Sequence, residues 1–122
     1  MNWYFGWAAI LAAFLSGAGL GLFFYNEDFL GGYNSFRRRI VRLGHIALAA
    51  LGMINILFAI SPLSAESGLR PAIAEWGFVI GGAGMPAVCF LSAWRPGFRH
   101  LFFIPVTALV VAVIHTLRIG LS

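Results

Sequence analysis

The sequence predicts an all-α membrane protein: four transmembrane helices in an antiparallel bundle, in an order that also allows a parallel repeat of two helical hairpins. Three observations carry this prediction. Of the 122 residues, 61% are hydrophobic and only 10% are charged, against about 25% charged in soluble domains. A soluble chain of this size leaves too much surface in water to hide that much apolar area. The charges are also clustered. The windows 1–26, 43–65, 76–94 and 100–117 contain no Asp, Glu, Lys or Arg, and each is close to the roughly 20 apolar residues that cross a bilayer. The connectors between them are short, so residues 1–122 form a single integral membrane domain.

The first helix is expected over about 3–25. Trp3, Tyr4 and Trp7 mark one interface and Phe23, Phe24 and Tyr25 the other, as aromatic belts do at headgroup level. This N-terminal stretch has no basic leader and no clear cleavage site, so a cleaved signal peptide is not expected. A polar connector with a turn at Gly31-Gly32 follows. The second helix is expected over about 40–60, ending at Ser61-Pro62 because proline disfavours helical geometry in the residue before it. The third is expected over about 72–94, with Pro71 suited to its start. Pro96-Gly97 makes the next turn, and the fourth helix covers about 100–119. Pro86 and Pro105 fall inside apolar windows, where each removes a backbone donor and can kink its helix.

All eight basic residues are arginines and there is no lysine. The net charge of +4 does not point to nucleic acid, because the arginines flank apolar windows where lipid phosphates are the natural counter-charge. Arg37, Arg38, Arg39, Arg42, Arg95 and Arg99 lie on one side, Arg70 and Arg118 on the other. Arginine-rich loops stay in the cytoplasm. The expected location is a bacterial-type inner membrane, multi-pass, with both termini on the non-cytoplasmic side.

Small residues supply packing surfaces. Ala9, Ala13, Gly17 and Gly21 repeat every four residues on helix one, and Gly77, Gly81 and Gly84 line helix three. Such ribbons let helix backbones approach closely where lipid gives no hydrophobic drive for association. Gly17-Ala18-Gly19 and Gly82-Ala83-Gly84, each followed later by Phe-Arg (Phe36-Arg37, Phe98-Arg99), suggest a faint repeat of the two hairpins.

Chemistry-bearing residues are few. Cys89 is the only cysteine. It can form no internal disulfide, and without a CxxC pair the chain does not fit the quinone-linked disulfide oxidoreductases. None of the charge-free windows holds a carboxylate, which separates this chain from the small multidrug resistance exporters, with their first-helix acid. Asn55 and His115 are polar residues inside the helices and functional candidates by default. His45, just after Arg42, and His100, just after Arg99, fall at similar depth on helices of the same direction. Two such imidazoles are candidate ligands of a b-type haem. Arg42 and Arg99 are candidate partners of its propionates or of lipid phosphate, and Gly44 is a candidate space for the porphyrin. The cofactor itself is not specified by the sequence, and neither is a metal. His115 lies fifteen residues beyond His100, about 22 Å along a helix, and belongs to a different place.

In this general form the chain resembles small bacterial four-helix membrane proteins that accompany respiratory complexes or the assembly of their haem and copper centres. That resemblance implies a subunit role and carries no residue roles with it. The expected function is a small integral subunit of a larger inner-membrane complex of redox or respiratory type. The alternatives are a small oligomeric transporter or lipid- or quinone-binding protein, and a purely structural scaffold. Expected partners are membrane lipids and other membrane subunits or further copies of the chain. Catalysis by the chain alone is not expected.

Overall fold

The structure, a computed structural model, describes residues 1–24, 35–65 and 68–121. Among the described residues there are four α-helices and no strands: α1 Asn2–Phe24, α2 Phe36–Ile60, α3 Leu69–Trp94 and α4 Phe103–Leu121. Each lies in a span long and apolar enough to cross a membrane. Short 3₁₀ segments, Pro62–Ala65 and Pro96–Phe102, join α2 to the approach of α3 and α3 to α4. The expected Gly31-Gly32 turn, Tyr25 and the side chains of Phe23 and Phe24 lie outside the described residues.

Two helices start earlier than the charge-free windows suggest. α2 takes in the arginine run because Ser35 caps it: the Ser35 hydroxyl accepts from Arg38 N at 3.2 Å, which satisfies one of the orphan donors of the first turn. Arginine is also a good helix former. α3 begins at Leu69, preceded by Gly68 at φ 121°, a left-handed backbone that favours glycine. Pro71 then falls in the first turn, where a missing N–H is tolerated. α3 therefore carries Glu75 inside the helix, so a carboxylate does lie within a span, Pro71–Trp94. α2 stops at Ser61, which is extended before Pro62, and α3 stops at Arg95, which is extended before Pro96. The fourth helix starts later than expected, since Pro96–Phe102 winds as 3₁₀. Pro105 then sits in the first turn of α4.

Packing follows chain order. α1 lies on α2, α2 on α3 and α3 on α4, with a lesser contact of α1 on α3. The close approaches occur at small residues. A Cβ added to Gly6 would sit 2.6 Å from Gly52 O, so α1 and α2 nearly touch backbones there. One added to Gly77 would meet Ala112 Cβ at 2.7 Å and Ala108 O at 2.9 Å, while Gly81 lies under Leu109 and Gly84 against Pro105. The three expected glycines of helix three thus form the α3–α4 seam. On α1, Ala9 and Ala13 are buried and Gly17 lies under His45, but no described atom lies within 4 Å of a Cβ at Gly21. Among the described residues the ribbon stops one turn short. The two Gly-Ala-Gly triplets also differ in what they meet: Gly82 faces Phe5 and Asn55, whereas Gly17 faces His45.

Two apolar clusters fill the ends of the bundle. Ile40, Val41, Cys89 and Ala93 pack at the arginine-rich end, joined by Leu20, Phe90 and Phe102. Phe58, Ala74, Phe78 and Ala112 pack towards the other end, with the Phe58 and Phe78 rings 5.4 Å apart.

Candidate functional site

The most developed polar site joins α1, α2 and α3. Asn55 is fully buried, and Asn2 is only 3% exposed. The Asn2 amide nitrogen donates to Asn55 Oδ1 at 2.7 Å and to Glu75 O at 3.2 Å. The Asn55 nitrogen donates to Leu51 O at 2.8 Å and to Phe78 O at 3.1 Å. Each helix contributes one part: α1 begins with Asn2, α2 brings Asn55 one turn beyond Leu51, and α3 offers two carbonyls. Gly82 leaves the room, since a Cβ there would lie 3.1 Å from Asn55 Nδ2. An amide without partners in hydrocarbon costs several kcal/mol. Here both donor hydrogens of Asn55 and its oxygen are engaged. The half-buried Glu75 carboxylate lies 4.0 Å from the amino group of Met1. Glu75, Asn2 and Ser64 line a polar cleft of about 220 Å³ beside the network.

Sequence reasoning picked out Asn55 but missed Asn2 and Glu75. Depth was the available signal. Asn55 lies five residues before the end of α2, about 7.5 Å by helix rise, and Asn2 opens the neighbouring antiparallel helix at that same end.

The second polar site is His45 on α2, which turns towards α1. Its Nδ1 lies 3.2 Å from Ser16 Oγ, and Ser16 Oγ donates to Ala13 O at 3.1 Å. With the hydroxyl hydrogen on Ala13 O, His45 Nδ1 is the donor to Ser16, and Nε2 is left as the acceptor. The ring rests on Gly17, where a Cβ would stand 2.6 Å from His45 Cε1. A serine beside a histidine invites a nucleophile–base reading, but this hydroxyl is bonded back along its own helix.

Arg42 lies one turn before His45 on α2, and the 3₁₀ segment that carries Arg99 and His100 packs its Phe102 against the cluster at this same end. His100 and Arg99 are exposed on the 3₁₀ segment, and Arg99 Nη1 donates to Pro96 O at 3.5 Å. Arg42 is half-buried on α2. The space expected at Gly44 is taken by α3, since a Cβ there would lie 2.8 Å from Cys89 Cβ and 3.2 Å from Phe90. At the same end Arg37 Nε donates to Ala93 O at 2.8 Å, satisfying a carbonyl in the last turn of α3, and Arg38 is 5% exposed. The Arg95 guanidinium lies over the Trp94 ring, 4.8 Å from its centre. Among the described residues, no group of three or more His, Cys, Asp or Glu gathers as a metal site.

Polar side chains of α4 bond to their own helix. Thr107 donates to Phe103 O at 2.5 Å and Thr116 to Ala112 O at 2.8 Å. His115 Nδ1 lies 2.9 Å from Val111 O. A carbonyl only accepts, so Nδ1 carries a hydrogen.

The arrangement can therefore hold helices in register and orient the rings of His45 and His115. Comparison of the chain with protein families, with curated proteins and with solved structures found no match.

Proposed function

We propose that this chain is a small integral subunit of a larger inner-membrane assembly of redox or respiratory type. Both termini are on the non-cytoplasmic side. The observation that supports the subunit reading is uneven burial. In α3, 50% of the apolar window is buried inside the chain, but in the fourth span, Pro96–Gly120, only 11% is. α4 leans on α3 and leaves most of its circumference to lipid or to neighbours. The amides of Asn2 and Asn55, meanwhile, are engaged in joining helices. An α4 so little covered by this chain supports packing against a neighbour.

The redox context rests on the arginine-led His45, whose Nδ1 is engaged by Ser16. Partners of this kind orient an imidazole for a ligand on its other nitrogen. A b-type haem is the sharpest form of this reading. It would use His45, with His100 on the exposed 3₁₀ segment as the second candidate ligand.

Native electrophoresis of membranes solubilised in mild detergent tests the subunit reading. The expected result is co-migration with other integral membrane proteins at fixed stoichiometry. A monodisperse homo-oligomer that moves a solute across liposomes would replace it with the transporter alternative. A reduced-minus-oxidised spectrum with a b-type band, lost in His45→Ala, supports the haem. A colourless, iron-free preparation removes it. A C-terminal reporter active only in the cytoplasm reverses the orientation.

A further inference from the structure

α3 and α4 enclose a lateral groove of about 410 Å³, with a lining that is almost wholly apolar. That volume is in the range of small-molecule sites. One wall is the α3 stripe Leu69, Ile73, Trp76 and Ile80, and the other is Thr107 and Val111 of α4. Trp76 and Leu69 are 55% and 75% exposed, so the groove opens sideways, where the hydrocarbon of the bilayer would lie.

Its length and its end point to an occupant. From Leu69, the first residue of α3, to Ile80 is about 16 Å of helix rise. That is close to half of the roughly 30 Å hydrocarbon core, the depth reached by one acyl chain of one leaflet. The groove starts at the membrane end of α3 and stops near mid-membrane, as such a chain does. At that same end α4 finishes with Arg118 in its last turn. Thr107, Val111 and Arg118 are spaced by four and seven residues and so share one face of α4. Arg118 is exposed and lies about 10 Å beyond Val111 towards the helix end. An apolar slot one leaflet deep, with an exposed arginine further along the same face of α4 towards the membrane surface, is complementary to a single anionic lipid.

We propose that the α3–α4 groove holds one acyl chain of an anionic phospholipid whose phosphate pairs with Arg118. This goes beyond the subunit reading and does not depend on it, because the site is formed by this chain alone.

The test uses the full chain in nanodiscs of phosphatidylglycerol and phosphatidylcholine in equal parts, followed by native mass spectrometry of what stays bound after detergent release. The expected result is one retained lipid, enriched in phosphatidylglycerol by roughly fivefold, the preference one arginine near an anionic surface supplies. Arg118→Gln, which leaves the groove intact, retains a lipid without that preference. Val111→Trp, which fills the groove from a half-exposed position, lowers retention of either lipid several-fold. Equal retention of the two lipids by the wild type overturns the proposal, as does an unchanged preference in Arg118→Gln. A Val111→Trp chain that is helical, monodisperse and still lipid-loaded also overturns it and gives the groove to a helix of a partner or of a second copy. Should Val111→Trp fail to fold, the Arg118→Gln comparison decides alone.

Discussion

Where α2 meets α1 and α3, polar atoms cross between helices: Asn2 reaches Asn55 and Glu75 O, and Asn55 reaches Phe78 O. Where α3 meets α4, Gly77, Gly81 and Gly84 seat Ala112, Leu109 and Pro105, and Thr107, Thr116 and His115 bond within α4; α1 and α2 add a close approach of this kind, Gly6 on Gly52, to their bonds. Lipid tails are as apolar as leucine, so neither contact draws on the hydrophobic effect that would hold it in water. The first uses directed bonds, which fix depth and register. The second uses fit, which tolerates sliding but not added volume. A seam of fit should therefore fail on enlarging a residue, and a seam of bonds on removing one.

The largest effect is expected at the seam of fit. Gly77→Leu places a side chain against Ala112 and the Ala108 carbonyl, and backbone cannot yield as a side chain can. A stability loss of about 3 kcal/mol is expected, the upper part of the overpacking range, read as earlier unfolding in a detergent titration. Loss of an α3–α4 cysteine cross-link should accompany it. An α3–α4 cross-link that survives would show that the seam is held by something other than fit.

Next comes Asn55→Leu, with a loss of about 2 kcal/mol. Each interhelical hydrogen bond in a membrane contributes only about 0.6–1.7 kcal/mol, but Asn55 makes bonds to two other helices. The α1 cross-links should loosen while α3–α4 cross-links stay. Equal loosening of both seams would erase the distinction between them. Gly17→Ala should cost less, ~1 kcal/mol, because what it strikes is the His45 ring rather than backbone. Its specific sign is a changed imidazole environment by NMR. Smallest of all, Gly21→Ala should change the unfolding midpoint by no more than ~0.5 kcal/mol, since no described atom lies near that Cβ. A larger loss would place a packed surface beyond the described residues on the end of α1.

Much of this fold is legible in the sequence because a membrane makes it so. Every backbone group must be satisfied within its own segment, so charge-free runs of the right length read directly as helices. Helix ends were less legible. The run at Arg37–Arg39 looks like connector by charge, yet Ser35 and the helix preference of arginine carry α2 through it. Glu75 falls just outside the charge-free window 76–94 but inside the expected helix 72–94, and α3, from Leu69, carries it within the span. The α3–α4 glycines were legible because small residues at helical spacing have few other uses. The partners of Asn55 and His45 were not, since depth alone does not say which face of a helix a neighbour covers. Gly44 shows this most plainly: a glycine beside a histidine offers room only if no neighbour fills it, and Cys89 and Phe90 do.

The helix contacts run in the order of the chain, each helix lying chiefly on the one before it. During synthesis every new segment therefore enters a bilayer that already contains its main partner. Asn55 is the sharpest case. When α2 enters, α1 is in place with Asn2 to take up its oxygen, and the amide waits only for α3 to complete its bonds. The Asn2–Asn55 bond spans 53 residues, yet both helices precede α3 and α4 in the chain, so the order of translation is also an order of assembly. α4 comes last, onto a three-helix unit that is already joined.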